Sequence, residues 1–361
     1  MQRLIVGEVL PMTRRRVRPK GWLVLGLFAL LLIAAAVVSA TIGAAGIPLH
    51  RLLAALTGSE GDAAHLTRDQ LVLWSIRLPR IAVAIGIGAL LAVAGAVMQG
   101  LFRNPLADPS LVGVSSGAGF ASAATIVLGD KLLAGSAMQL PFELLPVAAF
   151  LGALTATLAL HRIATHGGRT SIAIFLLGGL AVAALANAGI GLLVFVADDR
   201  QLRDVTFWLL GSLAGATWPK AWMLVPFLVA ALVAIPLITR GLDLLALGEA
   251  EAFHAGVSVQ RLKVTCIVLI SAITGAAVAI SGVIGFVGIV VPHLLRLLIG
   301  PAHGILLPAS MLLGATLMLC ADTAARVLAA PAEVPIGIIT AMIGAPFFIA
   351  LLLRQRSVAA L

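Results

Sequence analysis

Long apolar runs broken by short polar stretches govern the chain from residue 21 to residue 353. The runs lie at about 21–42, 78–101, 108–129, 143–163, 172–197, 220–239, 264–282, 284–299, 305–325 and 335–353. Most reach the roughly 20 residues that a helix needs to cross a bilayer. They predict an all-α polytopic membrane protein with about ten transmembrane helices, in a single domain over residues 1–361. Between the first two runs, residues 43–75 are mixed, with Pro48, Gly58, Gly61 and Asp62, and read as a loop with some interfacial helix.

The longest polar-rich interruption of the second half is the stretch 240–263. Within it Leu242, Leu244, Leu245, Leu247, Ala250, Phe253 and Val257 recur at roughly helical spacing, while Arg240, Asp243, Glu249, Glu251, His254, Arg261 and Lys263 supply polar positions. Gly241, Gly248 and Gly256 punctuate it. The pattern predicts short amphipathic helices joined by a glycine turn, as suits an element that a soluble partner grips at the membrane surface.

Composition removes the soluble classes: 61% of residues are hydrophobic, 11% are charged, and the mean hydropathy is +1.13. The net charge of +9 does not point to nucleic acid, because Tyr is absent and no basic patch carries interleaved aromatics. Orientation in a bilayer explains it. The cluster Arg14, Arg15, Arg16, Arg18 and Lys20 precedes a first run too long for a signal-peptide core, so that run reads as a retained helix entered from the cytoplasm. With both termini cytoplasmic, Arg103, Arg162, Arg169, Arg240, Arg261, Lys263 and Arg296 fall inside and most acids fall outside, as the positive-inside rule requires. Trp22, Trp74, Trp208, Trp218 and Trp222 all fall near predicted span ends, where an amphipathic ring prefers to sit.

A shift of 187 residues lays Gly88, Ala89, Ala92, Gly95, Pro105, Gly113 and Gly117 over Gly275, Ala276, Ala279, Gly282, Pro292, Gly300 and Gly304. The second span then pairs with the seventh, five crossings later, and an odd number of crossings inverts the topology. Spans 2–5 and 7–10 would form an inverted repeat, common in transport proteins. Catalytic signatures are missing: there is no G-x-x-x-x-G-K-[ST] phosphate loop, no H-E-x-x-H, and no nucleophile with a base and an orienting acid. His161, His166, His293 and His303 sit near inner span ends as interfacial or capping residues, and Cys266 and Cys320 lie in apolar runs as small packing residues. No metal site and no cofactor of its own is expected in the chain.

Two polar stretches stand out from helix packing. Arg77-Leu-Pro-Arg80 precedes the second span, and two arginines beside a proline at an external helix start suit an anchor for carboxylates from outside. Asp322-Thr-Ala-Ala-Arg326, followed by Pro331-Ala-Glu333-Val-Pro335-Ile-Gly337, closes the ninth span.

These stretches, with AVMQGLFRNPLADPSLVGVSSGAG, SGVIGFVGIVVPHLLRLLIGPAHGILLP and PAEVPIGIITAMIGAPFFIALL, resemble the permease subunit of the bacterial ABC importers for iron-siderophores, haem and vitamin B12. The resemblance covers essentially the whole chain from about Trp22. It implies a ten-helix permease in the inner membrane that works as a homodimer, with two copies of a cytoplasmic ABC ATPase, where ATP and Mg bind, and a periplasmic substrate-binding protein. The family's external arginines that receive acidic residues of the binding protein match Arg77, Arg80 and Arg326. Its ATPase-coupling element matches about Leu242 to Arg261, with Leu245, Leu247, Gly248, Glu249, Ala255, Gly256 and Val257 between them. The stretches 207–218 and 294–308 look most like the haem-transporting branch, although Ala302 stands where that branch tends to carry an acid. Haem is therefore the expected transported ligand, with a ferric siderophore or vitamin B12 as alternatives. An ion-coupled secondary transporter remains the reading from another class; it needs an ionisable residue near a span centre, whereas the acids cluster at span ends.

Overall fold

The computed structural model describes residues 21–43, 48–57, 63–133, 144–167, 169–330 and 332–359. The basic cluster Arg14 to Lys20, as well as Gly58, Gly61, Asp62 and Pro331, lies outside the described residues. The first half holds α1 (Gly21–Thr41), α2 (Leu49–Thr57), α3 (Ala63–Val72), α4 (Leu78–Phe102), α5 (Val114–Leu133), α6 (Leu144–Ala164) and α7 (Ile172–Val196). There follow α8 (Asp199–Leu210), α9 (Trp218–Leu245), α10 (Glu249–His254), α11 (Val259–Ser281), α12 (Val287–Ile299), α13 (His303–Leu328) and α14 (Ile336–Ala359).

Among the described residues, seven helical stretches are long and apolar enough to cross a membrane: α1, the run Thr67–Phe102, α6, α7, α9, α11 and α13. Three shorter apolar stretches, Val114–Gly129, Val287–Ile299 and Ile336–Leu351, occupy the remaining predicted runs. At 1.5 Å per residue α12 is only about 20 Å long, short of the roughly 30 Å hydrocarbon layer. An irregular segment, residues 282–286, precedes it. Gly282 turns there with φ 71°, and a Cβ at that position would meet the Trp208 carbonyl oxygen at 2.1 Å.

The core is built around α4, where almost every residue from Pro79 to Phe102 is buried. Without water to expel, helices in lipid associate through close packing, which small residues allow. Gly88 lies against Gly314 of α13, and Gly95 against Gly288 of α12; a Cβ at Gly95 would meet the Gly288 carbonyl oxygen at 2.0 Å. Gly117 of α5 meets Gly152 of α6 in the same manner, whereas Gly113 ends a 3-10 turn with φ 78°. Leu177, Leu180, Leu185, Leu192 and Phe195 of α7 stay exposed, as a lipid-facing side requires.

Several elements differ from the expectation. The second span starts well before residue 78: α3 runs through a π-helical turn, Leu73–Arg77, directly into α4. Pro79 therefore follows a wide turn inside a continuous helix and does not mark its external start; the π turn has already shifted the hydrogen-bond register where the ring removes a donor. The stretch after the fifth span holds α8, opened by a capping box in which Asp198 and Gln201 each accept from the other's backbone amide. A two-stranded hairpin, Thr165–His166 with Arg169–Thr170, adds the strand content that an all-α reading omits. α4 packs on α13, and α11, its counterpart by the 187-residue shift, packs on α6. Gly95 is mid-helix, however, while its counterpart Gly282 follows the end of α11.

Candidate functional site

Two clusters of polar side chains occupy opposite ends of the bundle. At the first, the contact of α4 with α13 brings Arg77, Arg80 and Arg326 together. All three line a cavity of about 240 Å³ with Ser39, Gly43 and Glu333. Their guanidinium groups are engaged by the chain itself. The Arg80 Nε donates to Asp322 Oδ1 at 2.9 Å, while its Nη1 and Nη2 donate to the two oxygens of Glu333 at 2.8 and 3.0 Å. Arg326, one helical turn after Asp322, donates to the same carboxylate from Nε at 3.2 Å.

The remaining donors close α1. Arg77 Nη1 donates to the Ala40 carbonyl, Arg326 Nη1 donates to that of Ile42 at 3.1 Å, and Arg326 Nη2 donates to Ser39 Oγ at 2.8 Å. Cations thus sit on the carbonyls at the end of a helix, where the peptide dipoles favour positive charge. Beside them Asp69 of α3 pairs with Arg51 of α2 at 2.7 Å. The sequence pointed to the arginines but not to Asp322 and Glu333 as their partners; the four-residue spacing of Asp322 and Arg326 was the only local signal.

At the other end, the stretch 240–263 folds as the last turn of α9, α10, a glycine turn and the first turn of α11. The predicted coupling residues divide into two groups. Leu242 and Leu245 are buried and fasten the segment, whereas Leu247 is 71% exposed and Phe253 68% exposed. Gly248, with φ 141°, and Gly256, with φ 86°, turn the chain on either side of α10. Glu249 pairs with Lys263 at 2.8 Å, and Lys263 Nζ also donates to the Thr170 carbonyl at 3.3 Å. Ala255 ends α10, Val257 N donates to the Ala252 carbonyl at 2.9 Å, and Arg261 is exposed on α11.

Asp243 makes a link the sequence did not suggest. Its Oδ1 accepts from the backbone amide of His303 at 3.0 Å and contacts the His303 Nδ1 at 2.6 Å. Ala302, at the N-cap of α13, has no side chain to cap with, so a carboxylate from α9 takes that place. A pocket of about 490 Å³ opens beside it, lined by Arg103, Asp243, Leu247, Arg296 and His303 among others. Arg296 donates to Gln99 Oε1 across its wall. Among the described residues, no three His, Cys, Asp or Glu side chains group as a metal site would need.

A match to the FecCD transport family runs from residue 31 to residue 354. The chain belongs to that family. Hemin transport system permease protein HmuU of Yersinia pestis is 42% identical to this FecCD chain over 351 residues, 94% of the chain and 98% of that protein. Cobalamin import system permease protein BtuC of Halobacterium salinarum is 44% identical over 292 residues, 81% of the chain and 76% of that protein. Among solved structures, a metal-chelate-type ABC transporter in an inward-facing conformation superposes with a TM-score of 0.80 at 36% identity, covering 92% of this chain and 99% of that one. The FecCD chain is accordingly a multi-pass permease subunit of an ABC importer, a transport component and not an enzyme, whose family works with ATPase and substrate-binding partners.

Proposed function

We propose that the chain imports haem as a homodimeric permease of the bacterial inner membrane, with both termini cytoplasmic. Two copies of a cytoplasmic ATPase, which bind ATP and Mg, grip the α10 segment, and a periplasmic binding protein docks over Arg77, Arg80 and Arg326. The observation that carries the cargo is the similarity to a hemin permease along nearly the full length of both chains. The arginine cavity supports docking: guanidiniums fixed by neighbouring groups present a preorganised site to carboxylates on a carrier, and charge complementarity speeds encounter. The exposed Leu247 and Phe253, flanked by glycine turns, supply an apolar contact for a partner on the opposite face. Rigid-body motion of that short helix is the means by which ATPase closure reaches the bundle.

The decisive test is reconstitution of the chain in lipid vesicles with its ATPase and binding protein, loading the carrier in turn with haem, a ferric siderophore or cobalamin. ATP-driven accumulation of haem alone is expected. Accumulation of cobalamin would instead favour the cargo named for the Halobacterium relative, and accumulation of the siderophore would move the cargo to a metal chelate. Uptake that ignores ATP and follows an ion gradient would replace the whole reading with a secondary transporter.

A further inference from the structure

We propose that Glu333 is an internal stand-in for a carrier carboxylate: it occupies the outer edge of Arg80 in the undocked permease and gives that edge up when the carrier binds. This rests on the docking role given above to the arginine cluster. Both edges of the Arg80 guanidinium are taken, one by Asp322 and one by Glu333, with the latter pair forming two parallel bonds of 2.8 and 3.0 Å. That fork is the geometry in which an arginine best holds any carboxylate. The Arg80 side chain is only 10% exposed, so an arriving acid must replace a partner it already has.

The two partners differ in how firmly they are held. Asp322 lies inside α13, is 2% exposed and serves Arg326 as well as Arg80. Glu333 stands on the non-helical connection between α13 and α14, where its side chain is 37% exposed. The backbone around it is tied at Val334 to Ala325 and at Ile336 to Gly211. Glu333 can therefore swing into water while Asp322 keeps the guanidinium in place. The exchange swaps one fork for another and never leaves a buried arginine without a partner, which would be costly. Asp322 is a positioning residue for docking, and Glu333 is the competitor of the carrier carboxylate.

The test measures binding of the carrier to the complete transporter in lipid nanodiscs. A competitor and a mere support make opposite predictions for Glu333→Gln. Removing the competing charge should tighten carrier binding about 2- to 5-fold, the scale of a partly exposed ion pair, and combining it with Arg80→Gln should abolish the gain. Unchanged or weaker binding by Glu333→Gln overturns the exchange. The docking reading is tested separately on the unaltered transporter: if carrier affinity does not fall as salt is raised, charged docking itself fails, whatever the Glu333 variant does.

Discussion

Asp322 accepts hydrogen bonds from two arginines while almost wholly buried, so its removal should be felt far beyond one lost contact. Asp322→Ala leaves Arg80 and Arg326 short of a counter-charge that is itself only 2% exposed, and breaking a buried pair in this way costs about 3–5 kcal/mol. A clear drop in the thermal unfolding midpoint of the purified permease is expected, with Asp322→Asn intermediate because it retains one acceptor oxygen. Equal midpoints for the wild-type and alanine forms would mean that the arginines are satisfied without Asp322. At this scale the sequence was informative about kind and silent about pairing. Arg77, Arg80 and Arg326 stand out because charge is rare in such a chain. Their partners did not, because Arg80 and Asp322 lie 242 positions apart and only the contact of α4 with α13 joins them. Nor does the sequence tell that Arg77 and Arg80 are buried and Arg326 half-buried, since a charge at a span end reads equally as snorkelling into the headgroups.

Among elements, α10 carries the most direct consequence. Ala252 is fully buried and its amide donates to the Gly248 carbonyl at 3.0 Å, so the helix is fastened from its middle. Ala252→Pro removes that donor and forces the ring against the preceding turn, a change costing about 3 kcal/mol in a helix interior. Carrier-stimulated ATP hydrolysis should collapse, while the unfolding midpoint of the permease alone moves little because α10 is peripheral to the α4 core. If stimulation survives, α10 is not the coupling element. The glycine turn and the helical character of the segment were legible, since helical periodicity survives in short amphipathic pieces, whereas the exposure of Leu247, grouped by its spacing with the buried Leu242 and Leu245, was not. The start of the segment was misread: Arg240 to Leu245 continue α9, because polarity at a span end does not stop a helix. α8 went unpredicted for the converse reason, a mixed sequence whose helix is set by its Asp198 capping box more than by apolar runs.

Over the whole molecule the two sites lie at opposite ends of one helix. α13 starts at His303, tied to Asp243 beside the α10 segment, and carries Asp322 and Arg326 near its other end, about 30–35 Å away at 1.5 Å per residue. α4 runs antiparallel to it, from Arg80 to the pocket where Arg103 and Arg296 meet the start of α13. Among the described residues, Arg103, Lys263 and Arg296, which the sequence assigns to the cytoplasmic side, thus lie at the α10 end, together with Arg169 on the hairpin whose Thr170 contacts Lys263. This geometry makes sidedness testable in one experiment. With Cys266 and Cys320 replaced by alanine, a cysteine at Phe253, which is 68% exposed, should react with an impermeant maleimide only from the cytoplasmic side. A cysteine at Arg200 on α8, whose side chain is 88% exposed, should react only from the periplasmic side. Opposite labelling of both sites would invert the bundle, and the arginine cavity could then no longer face a periplasmic carrier. Labelling of both from one side would mean that α9, the one span between them, does not cross, and would undo with it the inverted pairing of the two halves.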